Sequence, residues 1–98
     1  GLSRAIRVAR MADAAGMKAV PHISGDGLGF LNVLHFAAVV PNTTDYQEYK
    51  GDEDVSHVVT GTGKPLQPVA GKLAIPQGPG LGVTIDPEWL ARGRVVTA

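Results

Sequence analysis

His22 and Glu48 are the two side chains whose type and setting could do chemistry in this chain. His22 closes the apolar run K-A-V-P-H at residues 18–22. A turn with Gly25, Gly27 and Gly29 follows before an apolar helix begins. A strand–loop–helix unit of that kind sets the strand's last side chain at the mouth of an α/β sheet or barrel, where such folds keep their chemistry. An imidazole at that point can take or give a proton near neutral pH. Glu48, in Q-E-Y at residues 47–49, ends the next short run and is a second acid–base candidate. From position alone, His22 is equally well a structural histidine tied to loop backbone. Glutamates at strand ends are common, so Glu48 by itself says less.

The elements that must position these residues follow from periodicity. Leu2, Ala5, Ile6, Ala9, Met11 and Ala12 share one broad helical face, with Arg4, Arg7 and Asp13 on the other. This predicts a helix over residues 3–15, with Ser3 as N-cap and Gly16 as its left-handed stop. Residues 17–21 show no alternation and read as a short strand buried on both faces of a parallel sheet. Residues 28–40 are apolar nearly all round, so this second helix is expected to be covered on more than one side, and Pro41-Asn42 ends it. Residues 45–50 alternate weakly and read as another strand. The order helix, strand, helix, strand, in units of about 28 residues, is the pattern of a parallel α/β layer.

From Gly51 onward, glycine and proline are too dense for long regular elements. Extended runs at 72–75 and 82–85 are expected to survive. Asp86-Pro87-Glu88 opens a short helix with a capping aspartate, a proline at its first position and an acid at the positive end of its dipole. Gly93 ends it. The tail reads as a segment that wraps over another part of a larger protein.

Bulk properties remove several function classes. The 98 residues amount to one small domain or a piece of a larger one. Nine basic residues balance nine acidic ones, which argues against a nucleic-acid footprint and against a polybasic membrane surface. With no cysteine there is neither a disulfide framework nor a thiolate metal site. The longest apolar stretch, residues 36–40, falls far short of the roughly 20 residues of a bilayer span. Arg4, Arg7 and Arg10 interrupt the first apolar face, so no signal peptide is read and a cytoplasmic location is expected. A start at Gly1 that runs directly into a helix, with 44% hydrophobic and only 18% charged residues, points to a fragment; a trimmed small domain is the alternative.

Other motifs fail on their spacing. A dinucleotide fingerprint starting at Gly25 would need glycine at position 30, where Phe30 stands. A phosphate loop ending in Gly63-Lys64 would need glycine at Val58 and a hydroxyl residue at Pro65. Asp52, Glu53 and Asp54 read as a solvated acidic run rather than a cation site. His35, within the apolar helix, reads as a packing histidine, and His57 as an exposed one.

Taken together, A-A-G-M-K-A-V-P-H (14–22), L-H-F-A-A-V-V-P-N (34–42), Q-E-Y (47–49) and I-P-Q-G-P-G-L-G-V-T-I-D-P-E-W-L (75–90) resemble the C-terminal part of the enolase superfamily. The nearest branch is that of mandelate racemase and the acid-sugar dehydratases. The resemblance covers almost the whole chain, and its last motif is the most specific. It implies an α/β fold: the end of a (β/α)-barrel over residues 1–60, and a segment over residues 61–98 that returns to an α+β capping domain. Residues 17–22 would be the seventh barrel strand and residues 45–50 the eighth.

By the same resemblance, His22 matches the histidine of a His–Asp dyad, which abstracts the proton α to a carboxylate or protonates a departing hydroxyl. Glu48 matches the eighth-strand acid that hydrogen-bonds the substrate carboxylate, and it would have to be protonated to donate. The implied cofactor is Mg²⁺, with its ligands and the dyad aspartate upstream of this chain. The implied activity is a lyase dehydrating a sugar acid or other small hydroxy-carboxylate. A racemase or epimerase of the same superfamily, or a non-catalytic relative, is the alternative. The whole enzyme would be a homo-oligomer with no nucleic-acid or membrane partner, and the 98-residue chain alone is expected to be inactive.

Overall fold

The computed structural model describes residues 1–22, 27–49, 58–60 and 66–96, with backbone only for 58–60. Its elements are α1 (Leu2–Ala14), α2 (Leu28–Val39), β1 (Val58–Thr60), β2 (Val83–Ile85) and α3 (Pro87–Ala91). The chain divides into two compact units, Gly1–Gly51 and Asp52–Ala98.

In the first unit, the N-cap of α1 is Gly1 and not the expected Ser3; no side chain caps it. Its C-terminus meets the expectation. Gly16 sits at φ 70°, Met17 N–H donates to Ala12 O at 2.8 Å, and Gly16 N–H donates to Asp13 O at 2.9 Å. This pair of bonds is a Schellman motif, which a residue without Cβ closes at least cost. It also turns the chain out of α1 toward His22.

Helix α2 packs on α1 through a small apolar cluster of Ala9, Phe36 and Val40, with Leu2, Ala5, Ile6 and Ala19 against it. Only Phe30, Leu31 and Phe36 of α2 are buried, while Leu28 and Val39 remain 39% and 63% exposed. The expected cover on several sides is therefore not supplied within this unit.

The two expected parallel strands do not form. Residues 17–22 carry no sheet ladder, and Met17 and Val20 are 60% and 50% exposed. Residues 45–49 are likewise without strand structure. Ala19 N–H of the first segment donates instead to Asn42 O, ahead of the second, at 3.0 Å. A strand is stable only when a neighbour takes up its alternating N–H and C=O groups. Side chains also compete for the second segment's backbone: Gln47 Nε2 donates to Thr44 O at 2.8 Å, and Thr44 Oγ1 to Tyr46 O at 2.7 Å.

In the second unit, β1 pairs with β2 antiparallel, in the register Val58–Ile85, Val59–Thr84, Thr60–Val83. The expected extended run at 82–85 thus forms as β2, whereas 72–75 reduces to a single bridge between Val69 and Lys72. Ala70 and Gly71 span that bridge at φ 50° and 73°, the two positive angles of a type I′ turn. Helix α3 starts as expected: Asp86 Oδ1 accepts from Glu88 N–H at 2.9 Å and Pro87 takes the first position. Gly82, at φ 69°, lets its backbone lie against Pro76, where a Cβ would stand 2.7 Å from the Pro76 carbonyl carbon.

Candidate functional site

The geometry around His22 and Glu48 begins at Asn42. Its side chain is buried, and its amide donates to Ala9 O at 3.0 Å and to Met17 O at 2.9 Å. The Asn42 carbonyl accepts from Ala19 N–H. One residue therefore ties three stretches together: α1, the segment that leads to His22 and the segment that leads to Glu48. In the sequence Asn42 stands out only as part of a helix stop and as the end of the 34–42 motif. The available signal was an amide set in an otherwise apolar stretch, since a buried amide must find partners.

Beyond Asn42 the chain coils through its own side chains. Gln47 Nε2 donates to Thr43 Oγ1 at 2.8 Å, and Tyr49 packs its ring on Phe30 of α2 with centroids 5.5 Å apart and planes tilted by 55°. These contacts anchor both flanks of Glu48.

His22 and Glu48, 26 residues apart in sequence, meet with Nδ1 and Oε2 separated by 2.8 Å. The imidazole is 80% exposed and the carboxylate 38%. An ion pair this exposed contributes at most about 1 kcal/mol, so it is a poor stabilising device. A molecule arriving from solvent can reach the ring. Chemically, the pair is a proton carrier backed by a carboxylate.

The other sequence candidates lie elsewhere. His35 is half-buried in α2, in keeping with a packing role. His57, the acidic run 52–54 and the turn residue Gly25 fall outside the described residues. A cavity of about 250 Å³ opens between α1 and the end of α2, lined by Ile6, Arg10, Asp13, Val39, Pro41 and Asn42 among others, and neither His22 nor Glu48 borders it. Among the described residues no three His, Cys, Asp or Glu side chains come together as a metal centre would need. None of the described residues forms a magnesium site, and the resemblance places the magnesium ligands upstream of this chain. No helix among the described residues is long and apolar enough to cross a membrane.

Comparison with known proteins places this chain beside a family and a curated relative. The family model described as enolase C-terminal domain-like matches residues 1–89. D-galactarolactone cycloisomerase of Agrobacterium fabrum (strain C58 / ATCC 33970) is 31% identical over 101 residues, which takes in 97% of this chain and 27% of that protein. The chain thus spans about a quarter of the length of this curated relative. No solved structure matches.

Proposed function

Since this chain belongs to the enolase C-terminal domain-like family, we propose that it supplies His22 and Glu48 to the active site of a larger enzyme that removes the proton α to a carboxylate. His22 moves the proton, and Glu48 works beside it at the substrate carboxylate, the positions that the family resemblance assigns to them. The observation that carries this reading is the 2.8 Å approach of His22 Nδ1 to Glu48 Oε2 across 26 residues of sequence. A positioned general acid or base contributes roughly 10²- to 10⁴-fold.

The reaction class proposed is dehydration of a sugar acid or related hydroxy-carboxylate, with racemisation or epimerisation as the alternative. A second reading, isomerisation of a sugar-acid lactone, is favoured by the name of the matched relative. The whole enzyme is proposed to depend on magnesium held by groups outside the described residues, and residues 61–98 are proposed to pack on its capping domain. A cytoplasmic, homo-oligomeric enzyme accompanies this reading.

The test is an assay of the full-length protein against aldonic and aldaric acids and their lactones in D₂O with magnesium. Turnover that puts solvent deuterium on carbon, at C3 of the 2-keto-3-deoxy product of dehydration or at the α carbon after racemisation, and that is lost in His22→Asn, is the expected result. Turnover unchanged in His22→Asn would remove His22 from the chemistry. Absence of both turnover and deuterium incorporation with every acid and lactone would favour the non-catalytic relative.

A further inference from the structure

The cavity beside the end of α2 carries chemistry that His22 and Glu48 do not use. Its volume of about 250 Å³ lies below the roughly 300–1,000 Å³ of drug-sized sites, so it suits a small molecule. Ile6, Val39 and Pro41 supply an apolar wall, and Arg10 and Asp13 bring one charge of each sign to the same space. These two charges stand three residues apart on α1, which puts them on one face of the helix. Among the described residues neither head group has an ion-pair or hydrogen-bond partner.

Asp13 is also set against local physics. It stands in the last turn of α1, which holds no basic residue, and a carboxylate there faces the negative end of the helix dipole. The last residue of α2, Val39, lines the same cavity, so a second negative helix end opens on it. A cation brought to this place is favoured by both dipoles and by the carboxylate. Asn42 bounds the cavity as well. Its amide N–H groups are spent on Ala9 O and Met17 O, which leaves Oδ1 a buried acceptor without a partner among the described residues.

We propose that this cavity binds a free α-amino acid with a small branched apolar side chain. Its ammonium group, which only donates, meets Asp13 at the negative helix ends. Its carboxylate meets the Arg10 guanidinium, whose planar fork matches it with two parallel N–H···O bonds. Its side chain lies against Ile6, Val39 and Pro41. A molecule of a single charge would leave the other charged group of the wall without a partner. Neither His22 nor Glu48 borders the cavity, so the proposal stands independently of the catalytic reading above.

The experiment is calorimetric titration of the full-length protein with L-leucine, 4-methylpentanoate and isopentylamine. Leucine should saturate the protein at or below about 1 mM. Each analogue lacks one charged group and should bind at least roughly 10-fold more weakly. Arg10→Gln and Asp13→Asn should each weaken leucine by a similar factor, with thermal midpoints near wild type because both residues are exposed. His22→Asn should bind leucine as wild type does.

Absence of leucine binding overturns the proposal. An analogue that binds as tightly as leucine does so too, because the cavity would then read one charge or apolar area alone. Leucine binding unchanged in either Arg10→Gln or Asp13→Asn overturns it, since that charge would take no part. Binding lost in His22→Asn would place leucine at the catalytic pair and overturns it as well. Should a variant at position 10 or 13 fail to fold, the three ligands on wild type and on His22→Asn decide the matter.

Discussion

The Asn42 amide donates to Ala9 O and Met17 O, while its Oδ1 is buried with no partner among the described residues. A buried polar atom without a partner is costly, so the side chain is held by its two donated bonds. Asn42→Ala strips the donor from both carbonyls and should cost about 1–3 kcal/mol, read as a lower urea midpoint. Asn42→Asp should cost more, because an ionised carboxylate cannot donate and would face two carbonyl oxygens. Equal stability of the two variants would sink that account. Gly82 is a second residue without substitutes, since a Cβ there would stand 2.8 Å from Pro76 O at a backbone angle of φ 69°. Gly82→Ala should lose at least about 1–2 kcal/mol from the left-handed backbone alone, and the clash adds to it. Faster proteolysis around residues 76–82 is the measurement. His22 and Glu48 were both legible as single residues. Their contact was not, because the sequence places Glu48 on a strand of its own and gives no distance to His22.

Helix ends were the most readable elements, since capping depends on residues within one turn. The Gly16 stop and the Asp86-Pro87 start both form as local chemistry requires. Asp86→Ala should weaken α3 by about 1 kcal/mol, seen as faster exchange of the Glu88 amide, which would lose its acceptor. At the turn spanned by Ala70 and Gly71, the non-glycine residue at φ 50° is out of its preferred region. Ala70→Asn, which restores the favoured Asn-Gly pair of a type I′ turn, should raise stability by roughly 0.5–1 kcal/mol. An unchanged or lower thermal midpoint would contradict this. The strands were the least readable elements. An apolar run such as 17–21 carries strand propensity, but a strand exists only with its partner, and propensity yields to what the rest of the chain supplies. The pairing of β1 with β2 lay equally beyond local patterns, because it joins segments about 25 residues apart in a stretch dense with glycine and proline.

The first unit's core is small, with Ala9, Phe36 and Val40 buried between the two long helices. Val8, Met11, Met17, Val20 and Val39 stay at least half exposed within the same unit. So much exposed apolar area favours association. The 98-residue chain by itself should therefore sediment as associated species and bind a hydrophobic dye. It should also show no α-proton exchange with any acid. A sharply unfolding monomer would instead favour the reading of a small structural module. The chain matches only 27% of the length of the curated relative.

Family membership, the two long helices, the cap of α3 and the choice of His22 and Glu48 as candidates all follow from the order of residues. Each rests on local periodicity, on short-range capping or on motif likeness, none of which needs a third dimension. The 2.8 Å contact of the pair, the role of Asn42 and the loss of the two parallel strands were decided only in the tertiary structure. Each of these is a relation between segments distant in sequence. A hydrogen bond of that kind exists only when the fold brings donor and acceptor together, and no run of residues encodes it alone.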